Sequence, residues 1–576
     1  MEATGMALSV YKDVYLLVMS IYRLGMSASH YREEHEWLLT KFHGEYLYLR
    51  VFIHVFAALE KTERTDQSMH VVAHIHSIVE HLGKELSDYK DVARMEDEKY
   101  RDQCEVFSRA QRISPAELEN ILMEPMTPPR TPPKHSTSSN PRKRGNPLSG
   151  LGTLKGVLPK MEPIFKADAW AWALFGRRKL EAAVETFCDH NARLQHFEFV
   201  IFSTITSNLR KELGASTERD QLLLQKRPAS DELEPIQSGF ATHARLNALV
   251  ESANGTEGPT AYADHTIPTG GVEAAKRPIS LTAWEVVSDG PTMKEYKRYS
   301  SVQTQQTSMN IEAINQLAHL LRESGANGFH TLPLKSVTND PDRSWFTFEF
   351  SYPAGVSDKE AVNLNELIED GQGPDAPSLT LRFHTALSIS LAIGAFHADG
   401  WLHKSMRSES IRFFYDQDDR CIYKNPYLVN FEYSRPEMAD TIFASDPDVG
   451  RNLYRHPDRQ GLPTVKFNKA HDLYSLGVVL LEIGVWQTAA SMREDYLDEY
   501  NLKASGKVTS EIKNLFLKNA EDRLAHTMGS AYKQAVIACI SGEFEPLSDR
   551  NDFALQFQEK VIKNIEAERV REIDIL

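Results

Sequence analysis

The most constraining stretch of this chain lies between Leu387 and Glu482, where four short patterns follow one another in a fixed order. From Leu387 to His397 apolar side chains recur at helical spacing and stop just before Asp399-Gly400, which predicts a helix ending in a turn. After the loop Trp401–Phe414, the run Tyr427-Leu-Val reads as a short apolar strand leading into Asn430-Phe431-Glu432. Tyr454-Arg-His-Pro-Asp458 comes next, and His471-Asp-Leu-Tyr-Ser-Leu-Gly-Val-Val-Leu-Leu-Glu482 predicts a helix that runs into a core. Upstream, Trp284–Gly290 and Thr292–Tyr299 read as the two strands of a hairpin. Ile311, Ile314, Leu317, Ala318 and Leu321 share one helical face, and Phe346–Pro353 alternates aromatic and polar residues like a strand.

Trp401-Leu-His-Lys-Ser-Met-Arg-Ser-Glu-Ser410 resembles the catalytic loop of a protein kinase, and the flanking patterns resemble the motifs that surround that loop. The resemblance covers about 284–565 and implies the α+β, two-lobed kinase fold. In the kinase pattern H-R-D-L-x-x-x-N the Asp accepts the substrate's hydroxyl proton and the Asn holds a second Mg²⁺. Ser405 stands at the first place and Ser410 at the second. Asn430-Phe431-Glu432 stands where kinases carry Asp-Phe-Gly, so the carboxylate that would hold Mg²⁺ is replaced by an amide. Serine hydroxyls and an amide are neutral, so neither proton uptake nor metal holding survives. Lys297 sits at the place of the phosphate-pairing lysine, with a solvated strand lysine as the alternative reading, and no G-x-G-x-x-G loop precedes it. Glu312 is the candidate partner of Lys297, with a helix-surface glutamate as its alternative. His403 reads as a packing residue rather than a base, and Asp472 as a group tying the loop backbone from below. The resemblance therefore implies no catalytic residue, no metal and no required cofactor, with only weak ATP binding left open. The enzymatic alternative is an atypical Ser/Thr kinase in which Asp399 or Glu409 supplies the missing acid.

The amino-terminal third has a different character. Val10, Val14, Leu17, Ile21 and Leu24, then Trp37 to Phe56, then Val71, Ile75, Ile78, Val79 and Leu82 follow helical spacing, which Leu180, Val184, Phe187, Leu194, Phe197 and Val200 resume. Strand signals are scarce before residue 215, and helices that each bury one stripe are satisfied by an all-α bundle. Leu8–Tyr15, Tyr31–Glu36, Trp172–Leu180 and Cys188–Leu194 resemble the HeLo domain of filamentous fungi, found in prion-inhibition and heterokaryon-incompatibility proteins. This resemblance spans about 5–215. It implies a bundle that, once triggered, exposes an amino-terminal helix to a membrane and kills the cell. The plan of such a bundle followed by a pseudokinase is similar to that of the executioner of animal necroptosis. The stripe at 10–24 serves equally well as the buried face of a bundle helix.

Residues 123–163, rich in Pro, Ser, Thr and Gly, read as an insert unable to bury enough apolar surface to order itself. From Arg130 to Lys179 eleven Lys or Arg face two acids, Glu162 and Asp168, a local excess of nine in a chain whose net charge is -15. Arg142, Lys143, Arg144, Arg177, Arg178 and Lys179 form the densest part of this basic patch. It suits an anionic membrane surface, at about 1 kcal/mol per residue, or a nuclear-import signal. Thr127 and Thr131 each precede proline and are candidate phosphosites whose phosphates would weaken that attraction.

At 576 residues the chain exceeds one core, and its acidic balance argues against a general nucleic-acid binder. Its 4 cysteines lie far apart without C-x-x-C spacing, which predicts neither a disulfide framework nor a zinc site. No signal peptide and no run of ~18 apolar residues is read, so the expected location is cytoplasmic, with recruitment to the plasma membrane on activation. The expected organisation is a bundle at 1–215, a linker at 216–283, a kinase-like unit at 284–565 and a tail at 566–576. Expected partners are other proteins, such as an upstream receptor or kinase, and further copies of the chain on activation. A protein-binding scaffold is the third reading.

Overall fold

The computed structural model describes residues 45, 48–49, 52, 72–85, 177–204 and 243, then 282–287, 290–298, 314–315, 317–322, 329–340, 342–343, 345–371, 376–437, 448–461, 463, 465–499, 510–544 and 550–567. The chain divides into two compact units: residues 1–195 with 220–236, and residues 196–219 with 237–576. Helices dominate both, and small antiparallel sheets occur in the second.

In the first unit, helical residues 72–85 and helix α1 (Arg177–Gln195) bury Ile75, Val79 and Leu82, and Val184, Phe187 and Leu194, the stripes read from periodicity. Two polar links accompany this apolar packing. Asn191 donates from Nδ2 to the carbonyl and to Oε2 of Glu45 at 2.9 and 2.7 Å, and His190 Nε2 meets Glu85 Oε2 at 2.9 Å. The expectations at Thr127, Thr131, Arg142, Lys143 and Arg144 lie outside the described residues. Arg177, Arg178 and Lys179 open α1.

The second unit begins with a short helix, α2 (Glu198–Thr204), whose apolar residues continue the stripe of α1 in sequence. Its place is nevertheless with the second unit, because Phe199, Val200, Ile201 and Phe202 are buried there and Phe199 meets Phe557 edge-on at 6.1 Å. The unit boundary thus falls before residue 215, the end expected for the bundle.

Strands β1 (Thr282–Val287) and β2 (Gly290–Arg298) form the expected hairpin and join β3 (Leu334–Asp340) and β4 (Trp345–Ser351) in an antiparallel sheet ordered β1-β2-β4-β3. On β2, alternation places Met293, Glu295 and Lys297 on one face, paired across to Phe350, Phe348 and Phe346. Strand β5 (Val362–Asn363) leads into α3 (Leu364–Asp370), which a capping box starts: Glu366 N–H donates to Asn363 Oδ1, and Asn363 N–H to Glu366 Oε2, both at 2.9 Å.

Helix α4 (Leu379–Ala398) is capped by Ser378 and ends at Asp399, followed by Gly400 at φ 77, a left-handed turn that glycine adopts without strain. Among the described residues it is one helix long and apolar enough on average to cross a membrane, though polar residues interrupt it and it is mostly buried within the unit. Next come β6 (Trp401–Leu402), β7 (Ile411–Phe413), β8 (Tyr427–Leu428) and β9 (Arg435–Pro436), with β6 paired to β9 and β7 lying between β5 and β8.

After α5 (Val449–Leu453), helix α6 (Lys469–Val485) is buried almost all round, as its continuous apolar run predicts. Helices α7 (Ala489–Glu499), α8 (Ser510–Thr527), α9 (Ser530–Ser541) and α10 (Arg550–Phe557) follow, and α8 and α9 pack on α6. Gly477 allows that approach, since a Cβ there would stand 2.7 Å from Cys539 Cβ and 2.8 Å from Ile540 Cγ1.

Candidate functional site

The site is built where the end of α4, the start of α6 and the β2 strand converge on the loop 401–410 and on residues 429–434. Its floor is Asp472, in the first turn of α6 and fully buried. Asp472 accepts the backbone N–H of His403 at Oδ2 and of Lys404 at Oδ1, both at 2.8 Å, and lies 3.2 Å from His397 Nε2. Burial pushes its carboxyl up, but these hydrogen bonds and the nearby His397 and His403 outweigh it and hold the group below its ordinary value. Lys404 adopts φ 65, a left-handed conformation that costs a side-chain-bearing residue energy and that the Asp472 tether enforces.

His403 lies under this loop with its ring edge-on to Phe431 at 5.0 Å. Its Nε2 donates to the Val429 carbonyl at 3.1 Å while Nδ1 accepts the Ser405 N–H at 3.4 Å, so both ring nitrogens serve the backbone. Burial pushes its pKa down to about 4, so the ring is neutral and unable to act as a base from this position.

Ser405, Ser410 and Asn430 are brought together in one hydrogen-bonded chain. Asn430, at φ 67, donates from Nδ2 to Ser410 Oγ at 3.2 Å, and Ser410 Oγ donates to the Ser405 carbonyl at 2.7 Å. The Ser405 hydroxyl accepts from Arg407 Nη1 at 3.0 Å, so a cation stands beside it. The side chains of Asn430, Ser410 and Ser405 are neutral, and the guanidinium at the end of the chain lies 3.5 Å from Glu409. Of the two acids offered as substitutes, Asp399 is fully buried and turned to His243, whose Nδ1 lies 3.0 Å from both its oxygens. Glu409 sits 3.5 Å from Arg407 Nε.

Lys297 Nζ donates to the carbonyls of Phe431 and Ser434, each at 3.3 Å. Glu312, its expected partner, lies outside the described residues. Two places before Lys297 on the same strand face is a residue that the sequence reading passed over, Glu295. Its buried carboxylate accepts the N–H of Asn430 at 2.7 Å and of Phe431 at 3.0 Å. Burial pushes its pKa up to about 7, against the pull of those two bonds and of Arg412 and Lys297. Period-two alternation from Lys297 carries the signal that Glu295 shares its face; where that face leads is not visible in sequence. Lys404 is pushed down to about 7, first by burial and then by Arg435, Lys297 and Arg459.

Among the described residues, His456, Asp458 and His471 bring ligand-type atoms within 4.8 Å of one another, a cluster the sequence reading did not anticipate. The donor set does not suit a metal. His456 Nδ1 accepts the Asp458 N–H at 3.2 Å and His471 Nδ1 the Asn468 N–H at 3.1 Å, which leaves the proton on Nε2 of each ring.

No family model matches the chain. One curated protein, the eIF-2-alpha kinase GCN2 of Rattus norvegicus, is 28% identical over 137 residues, a match spanning 22% of this chain and 8% of that protein.

Proposed function

We propose that this chain is a non-catalytic signalling or cell-death regulator, in which a two-lobed kinase-like unit without reagents restrains or triggers a membrane-targeting, HeLo-like helical bundle. The observation that carries the reading is the neutral chain Asn430–Ser410–Ser405, closed at its end by the Arg407 guanidinium. Phosphoryl transfer needs a group that orients the attacking hydroxyl and carboxylate oxygens that hold magnesium on the phosphates. Hydroxyl and amide groups already committed to one another do neither.

The kinase-like part of the proposal draws on the element order from the β1–β2 hairpin to α6, on Asp472 tying down the loop, and on the partial similarity to a rat kinase. The bundle draws on its motif residues and on the helical core of the first unit. The switch is an equilibrium biased at the kinase-like unit by a protein partner or a modification, with further copies and an anionic cytoplasmic membrane face as partners of the released state. No cofactor is required.

An atypical Ser/Thr kinase is the second reading, favoured by the name of the rat relative alone. Turnover of ATP by the full chain separates the two: the proposal predicts none above the rate of solution hydrolysis. Leakage of anionic vesicles caused by the activated full chain, and absent with neutral vesicles, is the outcome expected of the effector. A chain that binds partners yet never releases vesicle contents would leave it a scaffold.

A further inference from the structure

Helix α6 carries Asp472 in its first turn and ends at Val485, so its two ends lie about 20 Å apart by helical rise. At the far end, away from the loop 401–410, a cavity of about 390 Å³ opens between α3, the segment that links α6 to α7, and α8. One of its walls is fixed apolar surface. Trp486 closes α6 at φ 53, a left-handed backbone that a bulky residue adopts only where its surroundings enforce it. The indole Nε1 donates to the Gly371 carbonyl at 2.7 Å, and the Arg382 guanidinium lies over the ring at 5.0 Å. The aromatic wall is thus held in place before any ligand arrives.

Two opposite charges line the same cavity without meeting. Arg523, half-buried on α8, donates from Nη1 to the side-chain oxygens of Gln487 and Asn519, at 2.7 and 3.0 Å. Gln487 is itself anchored, since its Nε2 donates to Ser491 Oγ at 3.0 Å and to Asp495 Oδ2 at 2.6 Å. The guanidinium is therefore oriented, and its Nε and Nη2 take no partner among the described residues. Glu369, exposed on α3, accepts from Asn365 Nδ2 at Oε1, at 2.9 Å. Among the described residues no ion pair joins Glu369 to Arg523, although both line the cavity.

Size and charge together restrict what fits. Ligand pockets span about 300–1,000 Å³, and this one lies near the lower end, which suits a small metabolite. The Nε–Nη2 edge of a guanidinium presents two parallel donors, the pattern that a carboxylate matches. A polyanion is disfavoured by Glu369 and by Asp495, whose charge already acts on Arg523. We propose that this cavity binds a small zwitterion of the apolar amino-acid kind, with its carboxylate on the Nε–Nη2 edge of Arg523, its ammonium at Glu369 and its apolar body on Trp486 and Val485. The site is separate from the one around Asp472, and its ligand does not depend on the kinase-like reading.

The test is a ligand-observed NMR titration of the full chain at neutral pH with leucine and phenylalanine, each also as its amide and as its N-acetyl derivative. At least one of the two amino acids should bind in the millimolar range or tighter. Removing either charge from it should weaken binding at least about tenfold. Arg523→Met and Glu369→Gln should each weaken binding of the unmodified amino acid by a similar factor. Glu369 is exposed, so Glu369→Gln carries the test should Arg523→Met not fold.

No binding of either amino acid in the millimolar range would overturn the proposal. So would amide and N-acetyl derivatives that bind as well as the zwitterion, or a Glu369→Gln chain that melts like wild type and binds equally well. None of these results bears on phosphate transfer, which tests the wider reading.

Discussion

The floor and the rim of the site are built in opposite ways, although Asp472 at the floor holds the two residues that precede Ser405 at the rim. At the floor a charged group persists deep in the core: Asp472 is fully buried and holds two backbone N–H groups and a histidine. At the rim, the Asn430 amide donates to the Ser410 hydroxyl and the Ser410 hydroxyl to the Ser405 carbonyl, so neutral groups bond to one another. The difference separates a structural job from a chemical one. A buried carboxylate that fixes a left-handed lysine and the loop around it is part of the architecture, and its loss would leave unpaired donors in the core. A carboxylate held open for metal or proton adds nothing to the fold and is lost without harm to it.

The largest effect expected from this contrast is at the floor. Asp472→Ala should cost about 3–5 kcal/mol, as breaking a buried charged network does, read by chemical denaturation of the full chain. A loss below about 1 kcal/mol would erase the distinction between the two regions.

His243→Ala should come next, at about 3 kcal/mol, since it removes the histidine that faces the buried Asp399 carboxylate. Burial lowers the His243 pKa, but the charge and hydrogen bond of Asp399 outweigh it and raise the group. The folded state therefore holds this proton where the unfolded chain has released it. Its stabilisation is full below the ordinary histidine range and is lost as pH rises through the raised value, so the gap between wild type and His243→Ala should narrow in alkali.

A third effect concerns Glu482, which accepts from Tyr454 Oη and from the Ala489 N–H, both at 2.7 Å, and which burial pushes up to about 8. The folded chain keeps this proton up to about 8 while the unfolded chain has already lost it, so stability falls as pH rises toward that value. Glu482→Gln should flatten the fall by up to about 1.4 kcal/mol per pH unit between pH 6.5 and 8, measured by urea unfolding. An unchanged slope would remove the buried protonated acid from the account.

The smallest effect belongs to the rim: Ser405→Ala should stay within about 1 kcal/mol of wild type, because the hydroxyl only accepts one bond from Arg407. A cost matching that of Asp472→Ala would make the rim as structural as the floor.

Much of the second unit was legible because its signals are local. The hairpin β1–β2, the alternating strand β4, and helices α4 and α6 each follow from period, caps and turns within a few residues. The meeting of Ser405, Ser410 and Asn430 followed only through the kinase resemblance, and their bonding to one another followed from nothing in the sequence. What periodicity does not carry is the identity of the core that a stripe faces. Phe197 and Val200 continue the bundle's spacing in sequence yet are buried in the second unit, and His243, read as linker, is locked to Asp399 there with Phe202 stacked on its ring at 5.2 Å. Glu295 was hidden for the same reason, since a strand glutamate looks solvated until its neighbours across the cleft are known. Arg382, His384 and His397 interrupt α4, so its apolar character shows only as an average over the helix.

The claim that the cleft has lost its chemistry while keeping its frame is tested most directly by single-turnover transfer of labelled γ-phosphate from ATP, with the full chain in excess, magnesium or manganese present, and a generic protein acceptor. The account predicts no label above that seen with Lys297→Ala. Label that accumulates with wild type and disappears with Lys297→Ala would contradict it.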